Sequence, residues 1–374
     1  MSHATTRMKS LAPLLVMLAL AACDDDPAAS SATTSAPDAT APDVPDDVLA
    51  LDPGAFAVGP SACCLTMQGE RAIWAENGDI WMMRLDTGHK SVLVAAPGEQ
   101  RDPVLDGDRL VWADRRGGDF DLWTLTFSGD VPGEPVLLRG GRGDQDQPAI
   151  SGTRVVWIGR DREPYSALEA EVYTMDLAVA DSERRLTNDG AEQTQPDIDG
   201  DRIVWADYSP SPDLRYLDIN DPLRNNADIL GFDLATNTAF TMTNDPSKQL
   251  RPAIDKDVVA WLDWRGINPE PKYSEFQVFV RRIGEPVERR LAWSSWSRPD
   301  LWKRPAVADG VVLFIAEPSA LGAGVTSVLA VDADGGEPWL VAGSSSVLDS
   351  VVTDGISAAW IGGGHLGRKA LAPR

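Results

Sequence analysis

A short stretch recurs along the chain in which polar and apolar positions alternate and then close into an apolar run ending in tryptophan. The clearest copy is Gln195-Pro196-Asp197-Ile198-Asp199-Gly200-Asp201-Arg202-Ile203-Val204-Trp205-Ala206-Asp207. Pro103 leads with the same offsets to Val111-Trp112-Ala113-Asp114, Pro148 to Val156-Trp157, Pro252 to Trp261-Leu262-Asp263, and Pro305 to Leu313-Phe314. Two copies lack the proline: Leu65 leads to Ile73-Trp74-Ala75-Glu76, and Val351 to Ala359-Trp360. The aromatic positions 74, 112, 157, 205, 261, 314 and 360 are spaced by 38, 45, 48, 56, 53 and 46 residues. Seven copies at this period predict an all-β, seven-bladed β-propeller.

Each copy reads as four strands. The Pro-x-Ile segment is the first, and the proline suits a strand start, where a missing N–H is tolerated. A Gly or Asp turn leads to the Trp strand. A third strand follows, such as Asp79-Ile80-Trp81-Met82-Met83-Arg84-Leu85, and a fourth closes the blade, as in Thr241-Met242-Thr243. The repeated ring is expected to fill the interface between neighbouring blades. Only 14 residues follow Trp360, enough for a third strand around Arg368-Lys369-Ala370-Leu371 and no fourth. An N-terminal strand, expected at Val48-Leu49-Ala50-Leu51, would complete the last blade and close the ring.

The N-terminus follows other rules. Arg7 and Lys9 precede an apolar run from Leu11 to Ala22, too short to span a bilayer and suited to a secretory signal. It ends in Leu20-Ala21-Ala22-Cys23, which resembles the bacterial lipobox. The resemblance implies a signal peptide over 1–22 and lipidation of Cys23. Residues 24–47 hold only Asp, Ala, Pro, Ser, Thr and Val; with Cys23 they are expected to form a disordered tether, leaving 48–374 as the propeller.

Composition narrows the function. There are 34 basic residues against 57 acidic ones, a net charge of -23, which argues against nucleic acid as a partner. The three histidines make His-based metal catalysis a poor fit, and no cofactor or metal site is expected. His89 falls in a turn and His365 after a glycine run. Asp332-Ala333-Asp334-Gly335-Gly336 resembles part of a calcium loop, lacks its later Glu, and reads as a hairpin turn.

The string Pro-x-Ile-x-Gly-Asp-x-Ile-Val-Trp-x-Asp, followed by Asp-Ile-x-x-x-Asp-Leu and Leu-Thr-Asn-Asp, resembles the repeat of TolB-type, WD40-like propellers. The likeness covers roughly residues 48–374. It implies a fold and leaves function open, because such propellers host many roles. The separate N-terminal α/β domain of typical members has no counterpart here.

The loops after the Trp strand are long in blades three to five, at Gly159–Glu171, Asp207–Ala227 and Trp264–Glu275. They carry Tyr165, Tyr208, Tyr216 and Tyr273 together with Arg160, Arg215 and Arg265. Tyr and Arg are the usual anchors of protein interfaces, so these seven residues are the candidate partner-binding set. Gln100, Gln145, Gln193 and Gln249, each three residues before the repeated proline, are expected to tie neighbouring blades together; a ligand-binding ring of amides is the alternative. The Asp or Glu two residues after Trp is expected to bond backbone in its own turn. Cys63 and Cys64 are adjacent thiols that could form a vicinal disulfide in a turn.

These residues point to a lipid-anchored propeller of the bacterial cell envelope, held to a membrane through Cys23. It is expected to be monomeric and to bind a protein or glycan partner without catalysis. The alternative is a propeller hydrolase or lyase using acidic residues around its central channel.

Overall fold

The computed structural model describes residues 55–160, 170–189, 191–209, 226–265, 276–294, 304–316, 326–344 and 347–371. The signal segment, Cys23, the tether and Val48–Leu51 lie outside them. The described residues are all strands and turns, arranged as seven antiparallel sheets that form the blades.

The first strand of each blade lines the axis. These inner strands are Cys63–Gln68, Gln100–Asp106, Gln145–Ser151, Gln193–Asp199, Gln249–Asp255, Ala306–Ala308 and Leu348–Thr353. Each pairs outward with its Trp strand, namely Arg71–Glu76, Arg109–Asp114, Arg154–Gly159, Arg202–Asp207, Val258–Asp263, Val311–Ala316 and Ser357–Gly362. Third and fourth strands follow outward, with one extra short strand, Val131–Pro132, in blade two.

Side-chain alternation along the Trp strand explains how blades stack. Residues i and i+2 share a face and i+1 takes the other. The aromatic ring therefore faces the preceding blade while its neighbours face the following one. Trp112 packs on Ile73, Ala75, Ile80 and Met82 of blade one. Trp157 packs on Val111 and Leu122 of blade two, Trp205 on Val156 and Ile158, and Trp261 on Val204 and Ile229. Phe314 and Trp360 continue the series onto blades five and six. Trp74 completes it by packing on Ala359, Ile361 and Leu366 of blade seven. Rings in blades one, two, three and five are fully buried.

The ring is closed by an N-terminal strand, placed later than Val48–Leu51. Phe56–Ala57 pairs with the outermost C-terminal strand, His365–Ala370, with Phe56 opposite Leu366. The Val58 N–H donates to the Gly364 carbonyl at 2.9 Å. Phe56 also packs on the cluster between blades one and seven, so a two-residue strand is held by its side chain as much as by its ladder. Too short to show a period, it is overshadowed in the sequence by the more apolar run before it.

The acid two residues after Trp has a second role beside the expected one. Trp74 donates its indole N–H to Glu76 at 2.8 Å, Trp112 to Asp114 at 3.0 Å, Trp205 to Asp207 at 2.8 Å and Trp261 to Asp263 at 2.9 Å. The spacing puts both groups on one face of the strand. The other oxygen accepts the backbone N–H two residues on, from Arg116, Ser209 and Arg265. Burial alone would raise the Asp114 carboxyl, but bonds from Arg116 and Trp112 outweigh it and hold the group below its usual value. In blade three the acid is Gly159, and Trp157 donates instead to Gln145 at 3.0 Å. A Cβ at Gly159 would lie 2.8 Å from the Tyr173 ring, which excludes a side chain there.

Candidate functional site at the channel mouth

The inner strands share an irregularity that the repeat hides. In blade four Thr194 lies opposite Ala206 and Asp197 opposite Val204, so one extra residue is inserted across from the Trp. The same shift occurs in blades one, two, three and five. The residue in the bulge takes a left-handed backbone: Cys64 at φ 58°, Asp102 at 52°, Gln147 at 51°, Gln195 at 58° and Arg251 at 59°. In four of these five a proline follows, which donates no N–H and so loses no ladder bond at the bulge. Bulges re-aim side chains, and this one presents a side chain to the axis in each blade. Arg304 and Ser350 occupy the corresponding positions of blades six and seven.

These residues line a central cavity of about 750 Å³ to which all seven inner strands contribute. The volume falls within the range of small-molecule sites. The register Gln145↔Gly159, Gln193↔Asp207 and Gln249↔Asp263 places the start of each inner strand at the same face as the end of its Trp strand. The bulged ring thus sits at the mouth from which the long loops leave.

A relay of side chain to backbone bonds runs round the mouth. Ser350 Oγ accepts the Cys64 N–H at 3.1 Å, Gln147 Oε1 accepts the Gln195 N–H at 2.7 Å, and Gln195 Oε1 accepts the Arg251 N–H at 2.8 Å. At the other end of the inner strands a second relay links the turns. Ser151, Asp199 and Asp255 accept from the N–H groups of Gly200, Lys256 and Asp309 in the blade that follows.

The charges at the mouth are unevenly paired. Arg101 bonds Asp146 at 2.7 Å and lies 3.5 Å from Asp102. Arg304 bonds Asp197 at 3.0 Å and donates to the Pro252 and Pro196 carbonyls. Burial pushes the Asp102 and Asp197 carboxyls up, against the pull of Arg101 and Arg304. Arg251 differs in making no ion pair among the described residues, and its buried Nε makes no hydrogen bond. Burial, reinforced by the like charge of Arg304, pushes its guanidinium down to about 10.

Cys63 and Cys64 stand in the same ring as free thiols with sulfurs 3.0 Å apart, Cys64 donating. That bond lowers the Cys63 thiol below its usual value and raises Cys64 well above it.

The other sequence candidates fall as follows. Tyr208 packs half-buried on the cluster between blades four and five, with Lys248 Nζ 5.5 Å from its ring centroid, and burial pushes its hydroxyl up. Arg160 bonds both oxygens of Asp146 at 3.0 Å. Arg265 pairs with Asp263 and Glu288 and lies over the Phe279 ring. Both arginines are thus engaged inside the blade ends. Tyr165, Tyr216, Tyr273 and Arg215 lie outside the described residues. Gln100, Gln145, Gln193 and Gln249 are fully buried and bond the incoming inter-blade loops, for example Gln193 to Asp189 at 3.0 Å and Gln249 to Ser247 at 2.8 Å. They are a structural tie, and the channel is lined by the residues that follow them. Asp332 and Gly335 close a hairpin turn through a 2.9 Å backbone bond. Among the described residues no group of His, Cys, Asp and Glu is arranged to hold a metal ion.

Sequence reasoning missed the bulge ring because the residue at this position varies from blade to blade. The signal was present as the one variable residue directly before an otherwise repeated proline.

No protein-family model matches the chain, and no curated protein matches it. Solved structures do. The structure of a puromycin hydrolase mutant is similar with a TM-score of 0.57 and 14% identity, covering 81% of this chain and 50% of that one. The WD40 repeats of RRP9 give 0.55 and 12%, covering 82% and 89%. TolB from Acinetobacter baumannii gives 0.46 and 14%, covering 78% and 66%. At such identities the likeness concerns the propeller fold alone.

Proposed function

We propose that this protein is a lipid-anchored propeller of the bacterial envelope that works as a non-catalytic binding module. Its channel mouth and the loops beside it would receive a protein or glycan partner. The observation that carries this reading is the bulge ring. Seven blades repeat their packing residues, yet one channel-lining position holds Cys64, Asp102, Gln147, Gln195, Arg251, Arg304 and Ser350. A constant scaffold that varies one channel-lining ring suits recognition. The lipobox-like Leu20-Ala21-Ala22-Cys23 and the polar stretch after it support tethering to a membrane.

Two experiments test this reading. Cys23→Ser should release the protein from the membrane fraction and abolish incorporation of labelled fatty acid; an unchanged distribution would remove the anchor from the account. Crosslinking and affinity capture from the native envelope, beside a Tyr208→Ala/Tyr216→Ala variant, tests the face. A specific partner captured by the parent and lost in the variant supports a docking site at the long-loop face. Failure to capture any specific partner with either protein counts against it.

A further inference from the structure

Of the three arginines that line the channel, Arg251 alone makes no ion pair among the described residues, although Asp102, Asp197 and Asp349 line it too. Arg101 is committed to Asp146 and Asp102, and Arg304 to Asp197. The Arg251 guanidinium has no ion-pair partner among the described residues, and its buried Nε has no acceptor. In a chain of net charge -23 a half-buried guanidinium without an ion pair is unexpected. A buried donor without an acceptor is costly, more so when charged, and native interiors rarely leave one.

Nor is Arg251 turned away from the cavity. It lines the channel together with Arg304, whose like charge is close enough to disfavour that of Arg251. The relay holds Arg251 in place: its backbone N–H is tied to Gln195, and its φ of 59° fixes the bulge. Arg304 is anchored through Nε and Nη2, and its Nη1 makes none of those bonds. Asp102, the nearby carboxyl that favours the charge of Arg251, does not bond it. The Arg251 fork, beside Arg304 in a partly desolvated cavity, lacks an acceptor that can take several N–H donors at once. Carboxylate and phosphoryl groups have that geometry.

We propose that Arg251 and Arg304 form an oxyanion-binding site in the channel, taking the carboxylate or phosphoryl group of a small anionic ligand. This inference deepens the binding-module reading and rests on it only in treating the channel mouth as the binding face. The oxyanion neutralises Arg251 and supplies acceptors for its Nε and for Arg304 Nη1. The overall negative charge slows the approach of such a ligand, so added salt raises its association rate.

The test is calorimetric titration of the purified full chain with succinate and, separately, with glycerol 3-phosphate. Saturable binding of either supports the site, and the ratio between them tells carboxylate from phosphoryl recognition. Arg251→Gln should weaken that binding at least about tenfold, the loss of one charged contact. Without ligand it should melt at the same temperature as the parent or higher, because it removes an unpaired buried charge. Arg304→Lys keeps the charge, loses the fork, and should weaken binding as well. The proposal is overturned if neither anion binds at millimolar concentration, or if Arg251→Gln binds as tightly as the parent. A variant that melts well below the parent would assign Arg251 a structural role and would overturn it too. Partner crosslinks from the mouth that persist while both anions are inert would end this inference and leave the binding-module reading standing.

Discussion

Gln195 and Arg251, 56 residues apart, are joined across a blade boundary: Gln195 Oε1 accepts the Arg251 backbone N–H at 2.8 Å. Both residues occupy the bulge of their inner strands with left-handed backbones. The contact therefore couples the strained position of one blade to that of the next, and it sets where the channel side chains point. Non-glycine residues in that region cost roughly 1–2 kcal/mol each, and proline after the bulge restricts the backbone further.

Gln195→Ala should lower stability by about 1 kcal/mol through loss of the bond. Gln195→Gly loses the same bond but relieves the left-handed strain, so it should be less destabilised than the alanine variant by about 1 kcal/mol. Urea unfolding midpoints at constant m-value decide this. Equal midpoints would show that the bulge is not strained.

The carboxylate under Trp112 makes stability depend on acid. Asp114 is held below the usual 3.8 despite its burial, so its contribution is complete above the unfolded value and fades as pH falls through the folded one. Asp114→Asn keeps an acceptor for the indole and loses the charged bond to Arg116. It should cost about 2 kcal/mol at neutral pH. The gap in melting temperature between parent and variant should narrow as pH drops below about 4. A gap that stays constant into strong acid would contradict the assignment.

Ring closure hangs on a short segment. Phe56→Ala removes a ring from the cluster between blades one and seven and should destabilise by about 2 kcal/mol. Arg184→Ala, on the outermost strand of blade three, provides the comparison; it breaks a bond to Asn237 of blade four, away from the closure. Hydrogen exchange should show the His365–Ala370 amides losing protection in Phe56→Ala alone. Unaltered protection there would mean that the ring closes without this strand.

The two thiols differ in reactivity. Cys63, lowered by the bond from Cys64, should react first with iodoacetamide at neutral pH, and peptide mass mapping should find the single adduct on Cys63. Cys64→Ala removes the donor and should slow that reaction. Preferred modification of Cys64 would reverse the roles given to the pair.

Much of this was legible in the sequence because packing repeats. The aromatic at each of seven positions faces the same kind of surface, so periodicity reports it directly, and the blade count and strand order follow. Trp205 and Asp207 show where legibility thins: the i, i+2 spacing places both on one face, yet only the backbone bond of the acid was anticipated, and the indole bond was not. Phe56–Ala57 was hidden because two residues carry no period; its role depends on His365–Ala370, more than 300 residues away. The bulge ring was hidden for the opposite reason. Repeats are found by what stays the same, and Gln147, Gln195, Arg251 and Arg304 share a place in the fold while differing in chemistry.

The most direct test of the central claim is site-specific photocrosslinking in the native envelope. A photoreactive residue at position 195, in the mouth, is compared with one at Thr238, on the exposed outer strand of blade four. The account predicts a discrete crosslinked species from position 195 and none from position 238. Equal patterns from both sites, or no adduct from the mouth, would contradict the claim that the channel mouth is the recognition face.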